Sequence, residues 1–138
     1  MREALREARV ALSEGEVPIG AVVVGGGRIL GRGHNLTEAL SDVTAHAEMQ
    51  ALTAAAQTIG GKYLKGCTLY VTVEPCLMCA GAIGWAQVSR VVYGCSDPKR
   101  GYAVGVCRSP FHAKAQVHGG VLADECRALM QSFFALKR

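Results

Sequence analysis

Two short segments constrain this chain more than any other feature: His46-Ala47-Glu48 and Glu74-Pro75-Cys76-Leu77-Met78-Cys79. Each opens a stretch of helical character. Ala45–Ile59 is rich in Ala, Leu, Met and Gln, which are mostly good helix formers, and Gly60-Gly61 ends it. Pro75 precedes an Ala- and Ile-rich stretch that reads as a second helix, Cys76–Gln87. A Cys-x-x-Cys pair at a helix start turns both sulfurs toward one point, and the helix N-terminus favours their thiolate forms. If both segments serve one site, the fold must bring two helix starts together.

The chemistry follows from the residue types. Zinc accepts imidazole nitrogen and thiolate sulfur, and a catalytic zinc site uses three protein ligands and keeps one position open. His46, Cys76 and Cys79 supply that number, for one zinc per chain. Glu48 stands two residues from His46, so the two would not share a face of an ideal helix. In a first turn both can border one cavity, which makes Glu48 a proton carrier and not a ligand. A metal lowers the pKa of its water from about 16 toward 7, and a glutamate beside it can move that proton to a substrate ring nitrogen. Taken separately, the parts are less specific. Cys-x-x-Cys after a strand is also the mark of a thiol–disulfide oxidoreductase. Together, His-x-Glu and Pro-Cys-x-x-Cys form the pattern of the zinc base deaminases.

The remaining sequence sets the frame. The 138 residues fit one domain, 1–138, and half of them are apolar, enough for a core at this size. No run of about 18 apolar residues occurs, so nothing is expected to span a membrane. The charged, amphipathic N-terminus lacks the apolar region of a secretory signal, so a cytoplasmic location is expected. Four of the six cysteines are scattered and read as reduced thiols. The formal charge of +4 is compatible with RNA but does not require it.

Apolar positions in residues 2–14 recur at helical spacing. Ile19–Val24 and Arg28–Gly31 flank Gly25-Gly26-Gly27 and read as a β-hairpin. A phosphate loop is excluded there, because neither Lys-Ser/Thr nor a helix follows the glycines. Residues 34–44 read as a loop, Cys67–Val73 and Val88–Tyr93 as strands, and Ala123–Leu136 as the closing helix. Residues 95–120 lack clear periodicity and are expected to form a loop with a short helix. Alternating strands and helices imply an α/β sheet with helices on its faces, and one helical crossover should make Cys67–Val73 and Val88–Tyr93 parallel.

At the two metal segments, Thr44–Met49 and Leu69–Ile83, the chain resembles the cytidine deaminase-like superfamily. Within it, the chain is similar to the bacterial tRNA-specific adenosine deaminases. Gly15–Val24, Val91–Gly94 running into Asp97–Gly101, Gly120–Cys126 and the closing Phe133-Phe134 with Lys137-Arg138 extend the likeness. The resemblance implies a three-layer α/β/α fold with a mixed central sheet, an N-terminal β-hairpin and helices on both faces. It implies zinc, a homodimer, and a tRNA anticodon arm as partner, whose wobble adenosine becomes inosine after leaving its stack. Asn35 matches a position that hydrogen-bonds the flipped base, although it could equally shape a turn. Asp97 and Lys99 match positions near the anticodon backbone, suited to a ribose hydroxyl and a phosphate, or they are ordinary loop charges. The apolar Met78–Trp85 segment could form the dimer interface, and Trp85 fits a core position as well.

The likeness has departures. Val43 stands where proline is usual, Trp85 where many tRNA enzymes carry a polar residue and guanine deaminases carry Trp, and Phe111-His112 where an Asn-His pair is common. His112 and His118 therefore receive no role. A guanine or other free-base deaminase is the nearest rival reading. A metal-stabilised RNA-binding module without catalysis is a third.

Overall fold

The computed structural model describes residues 1–137. Its elements are helix α1 (Arg2–Ser13), strands β1 (Gly20–Gly25) and β2 (Arg28–His34), helix α2 (Ala47–Ile59), strand β3 (Thr68–Val73), helix α3 (Leu77–Trp85), strands β4 (Arg90–Cys95) and β5 (Gln116–His118), and helix α4 (Ala123–Leu136). Gly26 and Gly27 both hold positive φ, 59° and 76°. A two-residue turn of that kind matches the right-handed twist of the flanking strands, so β1 returns antiparallel on β2.

The sheet order is β2-β1-β3-β4-β5. β1 is antiparallel to both neighbours, while β3, β4 and β5 run parallel. This is the mixed α/β sheet expected from the sequence, including the parallel crossover from β3 through α3 to β4. Helices cover both faces. On β2, Arg32 and His34 reach toward α1, where they meet Glu3, Glu7 and Glu14. Gly31 and Gly33 take α2 at backbone distance. α4 joins α1 on one side, around Leu5, Val73, Cys95 and Cys126. α3 joins α2 on the other, where Ala47, Ala51, Ala80 and Ile83 share the larger core with Val71 and Val91.

Three expectations change. β2 continues past Gly31 to His34, because its glycines are strand residues chosen for helix contact. A Cβ on Gly31 would lie 2.5 Å from the Ala51 carbonyl oxygen, and one on Gly33 would strike the Ala47 carbonyl. Residues 96–115 hold turns and bends with no helix. The parallel strand β5 follows, pairing Arg90–Val92 with Gln116–His118. Three edge residues are too few to show a period of two. Helix α3 stops at Trp85, short of the expected Gln87, which has φ 58°.

None of the six cysteines is paired in a disulfide, and burial pushes the thiols of Cys67, Cys95 and Cys126 up. No helix among the described residues is long and apolar enough to cross a membrane. Glu16, 1% exposed, accepts backbone N–H bonds from Glu38 and Ala39 at 3.0 and 2.8 Å. It thereby ties the loop after β2 to the start of β1. Gly33→Ala should lower stability by about 1–3 kcal/mol through overpacking against α2. A urea melt with an unchanged midpoint would contradict that close approach.

Candidate active site

The two helix starts meet. His46 is the N-cap of α2 and Cys76 the N-cap of α3, both in extended conformation and neither capping its helix through the side chain. Ser, Thr, Asp or Asn in these places would stabilise the helix end by about 1 kcal/mol. Here the side chains point at each other instead. The His46 Nδ1 lies 3.6 Å from Cys76 Sγ and 3.4 Å from Cys79 Sγ. All three ligand atoms fall within 4.8 Å of one another. Thiolate bonds of about 2.3 Å and an imidazole bond of about 2.0–2.1 Å, set at a tetrahedral angle, put nitrogen and sulfur about 3.5 Å apart. The observed distances bracket that value, so this donor set could hold a tetrahedral metal ion.

The electrostatics suit a cation. A hydrogen bond from Cys79, along with His46 nearby, pushes the Cys76 thiol down to about 4. The same sulfur contact, reinforced by burial, drives Cys79 upward. These opposite shifts describe one proton held between two sulfurs, and a bound divalent ion displaces such protons. Cys76 also holds the His46 imidazole above its ordinary value.

Glu48, second residue of α2, is 4% exposed. Burial raises its carboxyl above the usual carboxylate range, partly offset by a hydrogen bond with Cys79. Because His46 is a cap and not a helical residue, the two-residue spacing does not separate it from Glu48. Both line one cavity of about 290 Å³.

The cavity also collects residues from distant elements. Asn35, 5% exposed at the end of β2, donates from its Nδ2 to Thr37 Oγ1 at 3.3 Å. Asp97 lines the cavity too, while its Oδ1 accepts the N–H groups of Lys99 and Arg100 at 3.0 Å each. Lys99 is not brought to this cavity. It lines an adjoining groove of about 910 Å³, which shares Val73, Asp97, Arg100, Met130 and Phe134 with the cavity of Glu48. Lys99, Arg100, Arg127 and Lys137 give the groove its charge. Arg138, which follows Lys137 in the closing segment of the family likeness, lies outside the described residues.

Sequence reasoning missed several of these residues. Arg100 stood inside the Asp97–Gly101 likeness without a role of its own, and Met130 carries no motif signal. Phe133-Phe134 carried only the family likeness, and of the two only Phe133 is buried. Phe134 reaches the cavity because adjacent residues on α4 face different ways. Glu74 stood inside the second motif, yet its spacing assigned it no task. It is a second buried carboxylate in the same cavity. Trp85 is 85% exposed, so it is not a core residue of this chain.

Comparison with known proteins agrees with the geometry. The family model described as MafB19-like deaminase matches residues 1–138. The tRNA-specific adenosine deaminase of Bacillus subtilis (strain 168) is 45% identical, over 97% of this chain and 86% of that protein. A solved structure from a study of A-to-I editing by tRNA:A34 deaminases at the wobble position of transfer RNA is 42% identical. It superposes with a TM-score of 0.85, covering 94% of this chain and 96% of that one. The X-ray structure of guanine deaminase from Bacillus subtilis is 38% identical with a TM-score of 0.66, covering 69% of this chain and 61% of that one.

Proposed function

Because the chain belongs to the MafB19-like deaminases, and within them to the tRNA-specific adenosine deaminase family, we propose that residues 1–138 act as one zinc-dependent deaminase that converts the wobble adenosine of a tRNA anticodon to inosine. One observation carries the reading. The cavity that joins His46 and Cys76 to Glu48 and Asn35 opens directly onto a groove lined by four cationic side chains. A free base needs the cavity alone. A nucleotide within a strand needs the cavity and a path for its phosphates.

His46, Cys76 and Cys79 hold zinc, one per chain. When bound, zinc supplies the Lewis acidity that makes water a nucleophile near neutral pH. Glu48 takes a proton from the attacking water and delivers it to N1 of the adenine ring; it then takes the remaining hydroxyl proton as the carbonyl forms and passes it to the departing amine. Water and adenosine thus give inosine and ammonia. The apolar surroundings that raise the Glu48 carboxyl favour this traffic in both directions. Asn35 offers a buried amide to the edge of the flipped base. Asp97 shapes the loop that presents Lys99 and Arg100 to the strand.

A homodimer through α3 completes the reading. Leu77, Met78 and Trp85 are all exposed on that helix, and such apolar groups mark interaction surfaces. A cytoplasmic setting follows from the tRNA substrate. The tRNA-specific adenosine deaminase of Bacillus subtilis, 45% identical over 86% of its own length, also favours RNA over a free base.

Four measurements test this. Glu48→Gln should cut turnover of an anticodon stem-loop by about 10²–10⁴-fold while metal analysis still finds zinc; full activity would remove Glu48 from the mechanism. Cys79→Ser should lose the metal and the thermal stabilisation that added zinc gives the wild type; zinc retained at wild-type affinity would refute the ligand set. Lys99→Ala and Arg100→Ala should each flatten the dependence of log affinity on log salt by about 0.7 for every phosphate that is no longer neutralised. Deamination of guanine with none of the stem-loop would overturn the substrate.

A further inference from the structure

Two glutamates share the cavity, and their surroundings separate them. Glu48 faces the sulfurs. Glu74 turns both carboxylate oxygens to backbone: Oε1 accepts the N–H of Asp97 at 3.1 Å, and Oε2 accepts the N–H of Ala103 at 3.2 Å. Its own N–H donates to the Cys95 carbonyl at 2.9 Å, which fixes its backbone to the end of β4. With both oxygens bound to donors that never leave the peptide, Glu74 is unsuited to carrying protons.

Further contacts lock the same loop to the same segment. Gly101 forms a β-bridge with Cys76, and the Tyr102 N–H donates to the Pro75 carbonyl at 2.8 Å. Gly101 also packs its bare Cα face on Glu74, where any Cβ would collide with the carboxylate. Residues 97–103 are therefore held against residues 74–76, directly beside a metal-ligand position. The loop carries Asp97 and Arg100 to the cavity and Lys99 to the groove.

We infer that Glu74 is a positioning residue: it clamps the 97–103 loop at both ends and so sets the affinity for substrate, without taking part in metal binding or proton transfer. The inference rests on the proposed deaminase reading for its substrate, though not for its geometry. Charge-assisted bonds are the stronger kind, and two of them on one carboxylate define the height of the loop over the cavity. A glutamine keeps one acceptor and places an NH₂ against the other backbone N–H. Alanine keeps neither.

The test compares Glu74→Gln, Glu74→Ala and Gly101→Ala with the wild type. Gly101→Ala breaks the same contact from the loop side, which keeps the clamp testable if a Glu74 variant folds poorly. The KM for an anticodon stem-loop should rise about tenfold in Glu74→Gln, the loss expected for one charge-assisted bond, and further in Glu74→Ala. The kcat and the zinc content should stay unchanged. Amide hydrogen exchange at Asp97 and Ala103 should accelerate in all three variants. An unchanged KM in Glu74→Gln and Gly101→Ala would overturn the inference. So would loss of zinc together with kcat, which would make Glu74 a support for Cys76. If the wild type deaminates guanine and not the stem-loop, the substrate reading fails, and the clamp is judged on the KM for guanine.

Discussion

The approach of α2 to β2 at backbone distance is the contact on which the site depends. Gly33 lies against the carbonyl of Ala47, the residue after His46. A side chain there would lift the first turn of α2 by about a methyl group, and protein interiors do not absorb such shifts freely. His46 and Glu48 both ride on that turn. Their distances to Cys76 and Cys79, 3.4–3.6 Å for the imidazole, are thus set by a hairpin strand that contributes no ligand. Two glycines that weaken β2 as a strand serve a site built from other elements.

The helix ends show a similar exchange. Both N-cap positions hold residues that leave the cap unmade. The site keeps His46 and Cys76 free to face one point and forgoes the local stability that a serine or aspartate would give. The α2–α3 packing through Ala47, Ala51, Ala80 and Ile83 holds the two starts together instead. A bound cation would add a cross-link between segments about thirty residues apart, linking metal affinity to fold stability.

Much of this was legible in the sequence. The metal set, Glu48, the hairpin turn and the parallel crossover all rest on local signals: motif spacing, paired glycines and helical composition. Asn35 and Asp97, which the resemblance singled out, both line the cavity, and Asp97 also shapes its own loop. Lys99 lines the adjoining groove, and loop position alone does not say which of two adjoining depressions a side chain enters. The stretch 95–120 was the least legible. Its strand β5 is three residues long and takes its conformation from the open edge of β4, not from any pattern of its own. Motif spacing singled out Glu48 and gave Glu74 no task, because the partners of Glu74 come from a distant loop.

By itself, then, the sequence determined the donor types, the candidate proton carrier and the class of fold, because those depend on residue chemistry and short-range spacing. The tertiary structure alone decided the rest. It showed that β2 runs on to His34, since a glycine in contact with a helix looks like a glycine in a loop until the helix is present. It placed Trp85 outside and Phe134 at the cavity, because apolar residues on a short helix have no face until something packs on it. It joined the catalytic cavity to a groove of four cations drawn from a loop and the C-terminal segment. It also divided the labour of two buried glutamates by what each one touches: sulfur for Glu48, and the backbone of a distant loop for Glu74. A carboxylate's role is set by the donors within hydrogen-bonding reach, and long-range folding supplies those.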